Sequence, residues 1–103
     1  MSKWIEVGTI DDIPVLGARV VKYGDKQIAV FRNTQDEIFA LNDSCPHRQG
    51  QLSQGIVHDK TVTCPLHNWK IDLETGEAKA PDEGCAGHYV TKIESGKIFL
   101  EVV

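Results

Sequence analysis

Two short boxes of potential metal ligands constrain this chain more than any other feature. Cys45-Pro46-His47 and Cys64-Pro65-Leu66-His67 are separated by sixteen residues. Thiolate and neutral imidazole both donate lone pairs to borderline and soft metals, so the four side chains can surround one metal centre. The fold must therefore bring two separate loops together.

Structural zinc also accepts two Cys and two His, which makes a zinc-stabilised interaction module the simplest alternative. Zinc fingers usually place two Cys in one knuckle and two His in the other. Here each box instead contributes one thiolate and one imidazole. The mixed pairing disfavours zinc.

The crossed boxes resemble the Rieske motif, in which two Cys hold one iron of a 2Fe-2S cluster and two His hold the other. The resemblance implies a Rieske-type 2Fe-2S cofactor and a cluster-binding region over about 43–87. It also implies an all-β, Rieske-type fold of stacked antiparallel sheets with two cluster-binding loops at one tip. A third loop, 80–87, would fold over the cluster. The implied ligands are Cys45, His47, Cys64 and His67.

The donor set predicts how such a centre takes up an electron. Two ferric ions, two sulfides, two thiolates and two neutral imidazoles sum to zero charge, whereas four thiolates give minus two. An added electron is then less opposed, in agreement with potentials of about −150 to +300 mV for Rieske centres and about −400 mV for plant-type ferredoxins. We expect reduction to raise the pKa of His47 and His67, so that the potential falls with pH in the alkaline range. A potential that stays flat to strongly alkaline pH would contradict this.

Apolar residues recur mostly at spacing two in short runs broken by Gly, Asp and Asn, which is typical of strands. The strands ending at Asn42 and Thr63 would deliver the two boxes side by side. The predicted strands are 3–7, 18–23, 27–31, 37–42, 56–57, 61–63, 69–72, 88–94 and 97–103. Turns are predicted at 24–25, 33–36, 58–60, 75–76 and 95–96, with a short helical turn or loop at 11–14.

Length and charge narrow the class of protein. The 103 residues, 41% of them hydrophobic, suffice for one small domain, which we expect to span 1–103. The net charge of −4 and the lack of a basic stripe argue against nucleic-acid binding and favour protein partners. Neither a leader pattern nor an apolar run of bilayer length is visible, so we expect a soluble, cytoplasmic protein that does not bind membranes.

A second resemblance covers nearly the whole chain and is most specific after the first box. The runs Asn68–Ala78 (NWKIDLETGEA) and Pro81–Cys85 (PDEGC) are similar to the small subunit of NAD(P)H-dependent nitrite reductase. The resemblance implies an electron-transfer subunit that partners a large sirohaem flavoprotein. In nitrate assimilation that partner reduces nitrite to ammonium with six electrons, and the small subunit has no nitrite-reducing site of its own. A free-standing Rieske ferredoxin of an oxygenase system is the alternative.

The boxes also depart from those of respiratory, high-potential Rieske proteins. Those proteins have an additional Cys in each box, joined by a disulfide, and a Ser beside the second box. Here Gln49 and Leu66 stand at box positions without such groups. Because fewer hydrogen bonds to the sulfurs stabilise the reduced form less, we predict a potential near the low end of the Rieske range.

The other candidate residues have ordinary explanations. Two of the three Cys lie in the boxes, so Cys85 is best explained as a partly buried, inert thiol. His58 and His88 fall in a polar turn and at a strand start, where surface positions are expected. Trp69 is expected to pack in the core. No hydrolytic triad, phosphate loop or carboxylate pair is present, so no catalytic residue is predicted.

Overall fold

Antiparallel strands make up most of the computed structural model, which describes residues 3–43, 51–64, 70–78 and 87–102. Two 3₁₀ turns, Ile10–Asp12 and Leu52–Gln54, are the only helical elements in these ranges, and none of their helices has the length or apolar character to cross a membrane. The strands are β1 (Lys3–Thr9), β2 (Ala18–Tyr23), β3 (Lys26–Arg32), β4 (Ile38–Asn42), β5 (Ile56–His58), β6 (Thr61–Thr63), β7 (Lys70–Asp72), β8 (His88–Tyr89), β9 (Thr91–Glu94) and β10 (Lys97–Val102).

The strands form three antiparallel sheets. Sheet A has the order β1-β10-β9, sheet B the order β2-β3-β4-β8, and sheet C the order β5-β6-β7. Most neighbouring strands are consecutive in the chain and antiparallel, so they form hairpins. The predicted all-β fold of stacked antiparallel sheets is confirmed.

Sheet B is the central layer of the fold, and residues on both of its faces are buried. In β3 the four consecutive residues 28–31 have no exposed surface, and a continuous apolar run of this kind is expected of a strand covered on both sides. One face packs in what we call the sheet A core: Ile13, Ile28, Val30, Ile38, Ala40, Ile98 and Leu100. The other face packs in the sheet C core: Ala29, Phe31, Leu41, Leu52, Val57, Val62, Cys64, Ile71 and Leu73.

The turn chemistry is largely as the sequence indicates. Tyr23 pairs with Lys26 across the predicted turn at 24–25, and Glu94 pairs with Lys97 across 95–96. Ser95 and Gly96 both have positive φ angles, of 52° and 76°, which a tight hairpin turn requires. These two predicted hairpins are confirmed.

Several strand boundaries differ from the sequence prediction: β1, β3 and β5 extend one or two residues beyond their predicted ranges, and two further differences have a clear structural cause. Strand β4 begins at Ile38 rather than Glu37, because the Asn33 side chain accepts a hydrogen bond from the Glu37 N–H and holds Glu37 in the preceding turn. The predicted strand 88–94 is broken at Val90, since β8 pairs with β4 in sheet B while β9 pairs with β10 in sheet A. Such a change of sheet makes a corner between packed sheets.

Candidate metal centre

The first ligand box follows directly after β4, and its loop is closed by a buried carboxylate. Asp43, 6% exposed, accepts hydrogen bonds from the Ser53 N–H (2.8 Å to Oδ1) and the Ser53 hydroxyl (2.9 Å to Oδ2). The Asp43 N–H donates to the Gln27 carbonyl at 2.9 Å, which ties the same residue to β3. The hydrogen bonds from Ser53 to Asp43 therefore join the two residues that flank the segment 44–52.

The second ligand box begins where β6 ends. Cys64 has no exposed surface and packs in the sheet C core, together with Leu52 from the end of the first loop. Thr63 pairs with Lys70 across the β6–β7 hairpin, so the segment 64–69 is the connection of that hairpin. The thiol of Cys64 is thus presented from the core and not from a solvent-exposed position.

A glycine brings the two loops side by side. Gly55 ends the 3₁₀ turn that follows the first loop, and a Cβ at this position would overlap the Thr63 carbonyl oxygen, just before Cys64. A side chain here would have to push the two backbones apart, which explains the need for glycine. The expectation that β4 and β6 deliver their boxes to one place therefore agrees with how the roots of the two loops meet.

A third segment returns to the same place. The Asn42 N–H donates to the Gly87 carbonyl at 3.0 Å, and the Tyr89 hydroxyl donates to Asn42 Oδ1 at 2.6 Å. Gly87 has a φ of +74°, and a Cβ there would lie 2.7 Å from Asn42 Nδ2. Burial raises the pKa of the Tyr89 phenol above its ordinary value. The C-terminal root of the segment 79–86 is thus anchored at the start of the first ligand loop.

The described residues place only part of the predicted ligand set. Cys64 is buried at the end of β6, whereas Cys45, His47 and His67 lie outside the described residues, as do Trp69 and Cys85. His58 and His88 are exposed, which agrees with their predicted surface positions. Within the described ranges no three His, Cys, Asp or Glu side chains come together as a separate metal site.

The residues present fit a 2Fe-2S cluster of the Rieske type. Two thiolates and two imidazoles are the donor set of such a cluster, and Cys64, the one predicted donor within the described ranges, has no exposed surface. The roots of both ligand loops meet at Gly55 and Thr63. An open cleft of about 430 Å³ lies between the β2–β3 hairpin and the end of β4; its lining residues are Asp25, Lys26, Gln27, Asn42 and Asp43.

The sequence reasoning did not find the residues that close the loops. Asp43 and Ser53 are ten residues apart, and neither belongs to a motif by itself. Asn42 and Tyr89 are 47 residues apart, so their contact follows only from the pairing of β4 with β8. The only signal in the sequence was weak: two polar residues, Asp43 and Ser53, lie on either side of the first box.

Comparison with known proteins decides the family. The family model described as "Rieske [2Fe-2S] domain" matches residues 3–94. The chain belongs to the Rieske family. The family's cofactor is a Rieske-type 2Fe-2S cluster, and its role is electron transfer. The resemblance noted in the crossed boxes is thereby confirmed.

Relatives within the Rieske family belong to more than one kind of redox system. The chain is 38% identical over 103 residues to the anthranilate 1,2-dioxygenase ferredoxin subunit of Burkholderia cepacia, covering 99% of this chain and 94% of the relative. The solved structure of the Escherichia coli protein NirD has a TM-score of 0.84 and 28% identity, covering 99% of this chain and 98% of NirD. A Mycobacterium tuberculosis protein described as an NADH-dependent nitrite reductase small subunit has a TM-score of 0.89 at 22% identity, covering 100% and 97%.

Proposed function

We propose that this Rieske protein is the electron-transfer small subunit of a cytoplasmic NAD(P)H-dependent nitrite reductase. The observation that carries the proposal is the run of residues after the second box, Asn68–Ala78 with Pro81–Cys85, which is similar to that small subunit. The 28% identity to NirD over nearly the full length of both chains supports it. In this reading the chain is one Rieske domain, 1–103, and the reaction belongs to a large sirohaem flavoprotein.

The proposed ligands are Cys45 and Cys64 for one iron and His47 and His67 for the other. When bound, the cluster supplies one-electron transfer without a change of ligands. The chain itself holds the two ligand loops at fixed roots, through Ser53 on Asp43 and through Gly55 against Thr63. A ligand frame that needs little rearrangement lowers the cost of each electron transfer.

The overall reaction defines what the partner must do. Nitrite accepts six electrons and eight protons and yields ammonium and two waters, and three molecules of NAD(P)H provide the electrons. A one-electron carrier would act six times in each turnover. No catalytic residue is assigned to this chain, because in this proposal the nitrite chemistry belongs to the large sirohaem flavoprotein.

A second candidate function is supported by a different observation. The 38% identity to a dioxygenase ferredoxin subunit extends over 99% of this chain. A free-standing ferredoxin would accept an electron from a flavin reductase and deliver it to a terminal oxygenase. The same loops and ligands would serve, and only the partner would differ.

The test is partner selection by the loaded protein. The chain, purified with iron and acid-labile sulfide and showing a Rieske electron paramagnetic resonance signal, is mixed with the sirohaem flavoprotein of its own organism. We expect a stable complex and NAD(P)H-dependent ammonium formation that falls when Cys64→Ala replaces the natural chain. Failure to form this complex, with rapid electron delivery to a terminal dioxygenase instead, would establish the second candidate. Zinc in place of iron and sulfide would exclude both.

A further inference from the structure

An exposed leucine holds an unusual backbone conformation in the turn before β2. The Gly17 N–H donates to the Pro14 carbonyl at 2.8 Å and closes the turn 14–17, in which Leu16 has a φ of +63°. Glycine or asparagine is normally found at such a position, because a bulky side chain is strained at positive φ. The other non-glycine residues with positive φ in the described ranges are all Asp or Ser. Leu16 is thus the one apolar residue among them.

The turn presents two apolar side chains to water. Val15 is 50% exposed and Leu16 is 43% exposed. A single exposed apolar side chain is ordinary, but a strained one is not, since backbone strain persists only where the surrounding structure enforces it and is concentrated at functional sites. A glycine at this position would give the same turn without the strain. The Leu16 side chain therefore points to a role in binding.

Hydrogen bonds hold this turn against β3. The Leu16 N–H donates to the Arg32 carbonyl at 2.9 Å, and the Arg32 N–H donates to the Gly17 carbonyl at 3.1 Å. The Arg32 guanidinium also donates to two carbonyl oxygens of the segment 10–13, at 3.1 and 2.8 Å. A side chain that is held in place before binding loses little entropy when it is bound. The turn, which we call the 14–17 tip, is thus a fixed support for its apolar side chains.

The 14–17 tip lies at the end of sheet B that is remote from the ligand loops. Arg32, to which it is bonded, pairs with Ile38 at the start of β4, whereas Asn42 and the first ligand box lie at the other end of that strand. A partner protein could therefore hold the tip and exchange an electron at the ligand loops at the same time. Two linked contacts give a much tighter complex than either contact alone, because the second forms within the complex.

The charges beside the tip define what can cover it. The segments that hold the tip, Ile10–Asp12 and 32–37, bear four acids and one base, and Arg19 on β2 adds a second base. The acids are Asp11, Asp12, Asp36 and Glu37, and the two bases pair with Asp12 at 3.4 Å and with Asp36 at 2.7 Å. These acidic surroundings repel a second tip of the same kind and an anionic membrane surface. Their complement is an apolar pocket with a basic rim on another protein.

We propose that the 14–17 tip is a second docking site of this subunit, whose Val15 and Leu16 side chains insert into an apolar, basic-rimmed pocket of the large sirohaem flavoprotein. The proposal rests on the proposed function, because a subunit that acts in every electron step of a turnover needs a contact that outlasts each transfer. The tip holds the complex together, and the ligand loops exchange the electron.

The main variant is Leu16→Gly, which removes the side chain and relieves the strain at positive φ. Ammonium formation by the sirohaem flavoprotein is measured against the concentration of the cluster-loaded small subunit. We expect the half-saturating concentration to rise about tenfold, because the variant loses the burial of one leucine side chain, and the maximal rate to stay unchanged. Titration calorimetry should show the same loss of affinity, with an unchanged paramagnetic resonance signal.

Two half-exposed valines provide a matched pair. Val15 and Val90 are each 50% exposed, and only Val15 lies in the tip. Val15→Ser should weaken binding about fivefold, and Val90→Ser should weaken it less than about twofold. Equal effects of the two changes would overturn the proposal. If Leu16→Gly unfolds at a lower temperature than the natural chain, this pair decides alone.

The possible outcomes separate the tip from the function on which it rests. If the natural chain binds the flavoprotein and the Leu16→Gly and Val15→Ser variants bind it equally well, the tip proposal is overturned and the nitrite reductase assignment stands. A natural chain that does not bind the flavoprotein would overturn both. A lower maximal rate at an unchanged half-saturating concentration would place the effect on electron transfer, and self-association that Leu16→Gly abolishes would identify a second copy as the occupant. Either result would overturn the proposal.

Discussion

The central sheet buries both of its faces, but the two faces pack against very different partners. In the sheet A core it meets β1 and β10, which pair over six residue positions. In the sheet C core it meets three strands of three residues each; the first ligand box precedes these strands, and the second lies between β6 and β7. One side is held by a longer pairing, which contains one register shift between Glu6 and Gly8, while the other side contains a proposed metal ligand, Cys64, among its apolar side chains.

This difference indicates a division of labour within a small domain. Short strands contribute few ladder hydrogen bonds, so the loop-bearing side gains more from a cofactor that links its loops. The sheet A core needs no such link. We therefore expect substitutions in the sheet C core to change both stability and cluster content, and substitutions in the sheet A core to change stability alone.

The largest expected effect comes from Cys64→Ala. Loss of one of two thiolates should abolish the Rieske paramagnetic resonance signal and remove essentially all iron and acid-labile sulfide. Thermal unfolding should move to that of the chelator-treated protein, because the stabilisation by bound cofactor is lost. The control is Cys85→Ala, which should keep the cluster. Full iron content in Cys64→Ala would contradict the ligand assignment.

A pair of leucines compares the two cores directly. Leu52 and Leu100 are both fully buried, the first in the sheet C core and the second in the sheet A core. Each Leu→Ala change should cost about 2–5 kcal/mol of unfolding free energy in the cluster-free protein, measured with urea. Only Leu52→Ala should also lower the iron content after reconstitution. Equal iron contents in the two variants would show that the cores do not differ in this way.

Asn33→Ala should have a smaller effect, confined to stability. Asn33 is fully buried; its Oδ1 accepts from the N–H groups of Gln35 and Glu37, and its Nδ2 donates to Asp59 O at 3.3 Å, joining sheets B and C. Leaving such groups unpaired should cost about 2 kcal/mol. This turn lies at the start of β4, whereas the first ligand loop lies at the end of that strand. Because the strand separates the two, the reduction potential should not change. The control is Thr34→Ala, a change at the exposed neighbouring residue. A shifted reduction potential in Asn33→Ala would contradict the view that the turn before β4 acts on stability alone.

The smallest expected effect is that of Tyr89→Phe. Tyr89 packs against the sheet A core, and its hydroxyl binds Asn42 at the root of the first loop, so it connects the two sides. Loss of this hydrogen bond should cost about 1 kcal/mol at neutral pH. Unfolding free energies from urea titrations at several pH values would measure it.

The pH dependence of Tyr89→Phe has a definite sign. Burial raises the pKa of Tyr89 in the folded protein, so the folded state keeps the phenolic proton after the unfolded state has begun to lose it near pH 10. The natural protein should therefore lose stability as pH rises through the raised pKa, and its advantage over Tyr89→Phe should shrink there. An advantage that grows above pH 10 would contradict this account.

Much of the fold could be predicted because local chemistry determines it. The turn residues Gly24 and Asp25 between β2 and β3, and Ser95 and Gly96 between β9 and β10, indicate the two hairpins directly. The break at Val90 could not be predicted, since residues 88–94 contain no Gly or Pro that would interrupt a strand, and only pairing with β4 and β10 divides them. The hydrogen bonds from Ser53 to Asp43 could not be predicted either, because they depend on the path of the chain between these two residues.

The sequence by itself determined the chemistry of the centre. Two thiolates and two imidazoles in crossed boxes define a donor set, and donor atoms are a property of residue type and spacing. Only the tertiary structure decided how that donor set is supported: which core contains Cys64, why Gly55 must lack a side chain, and which buried carboxylate closes the first loop. These features depend on contacts between residues distant in the chain, and such contacts form only when the sheets pack.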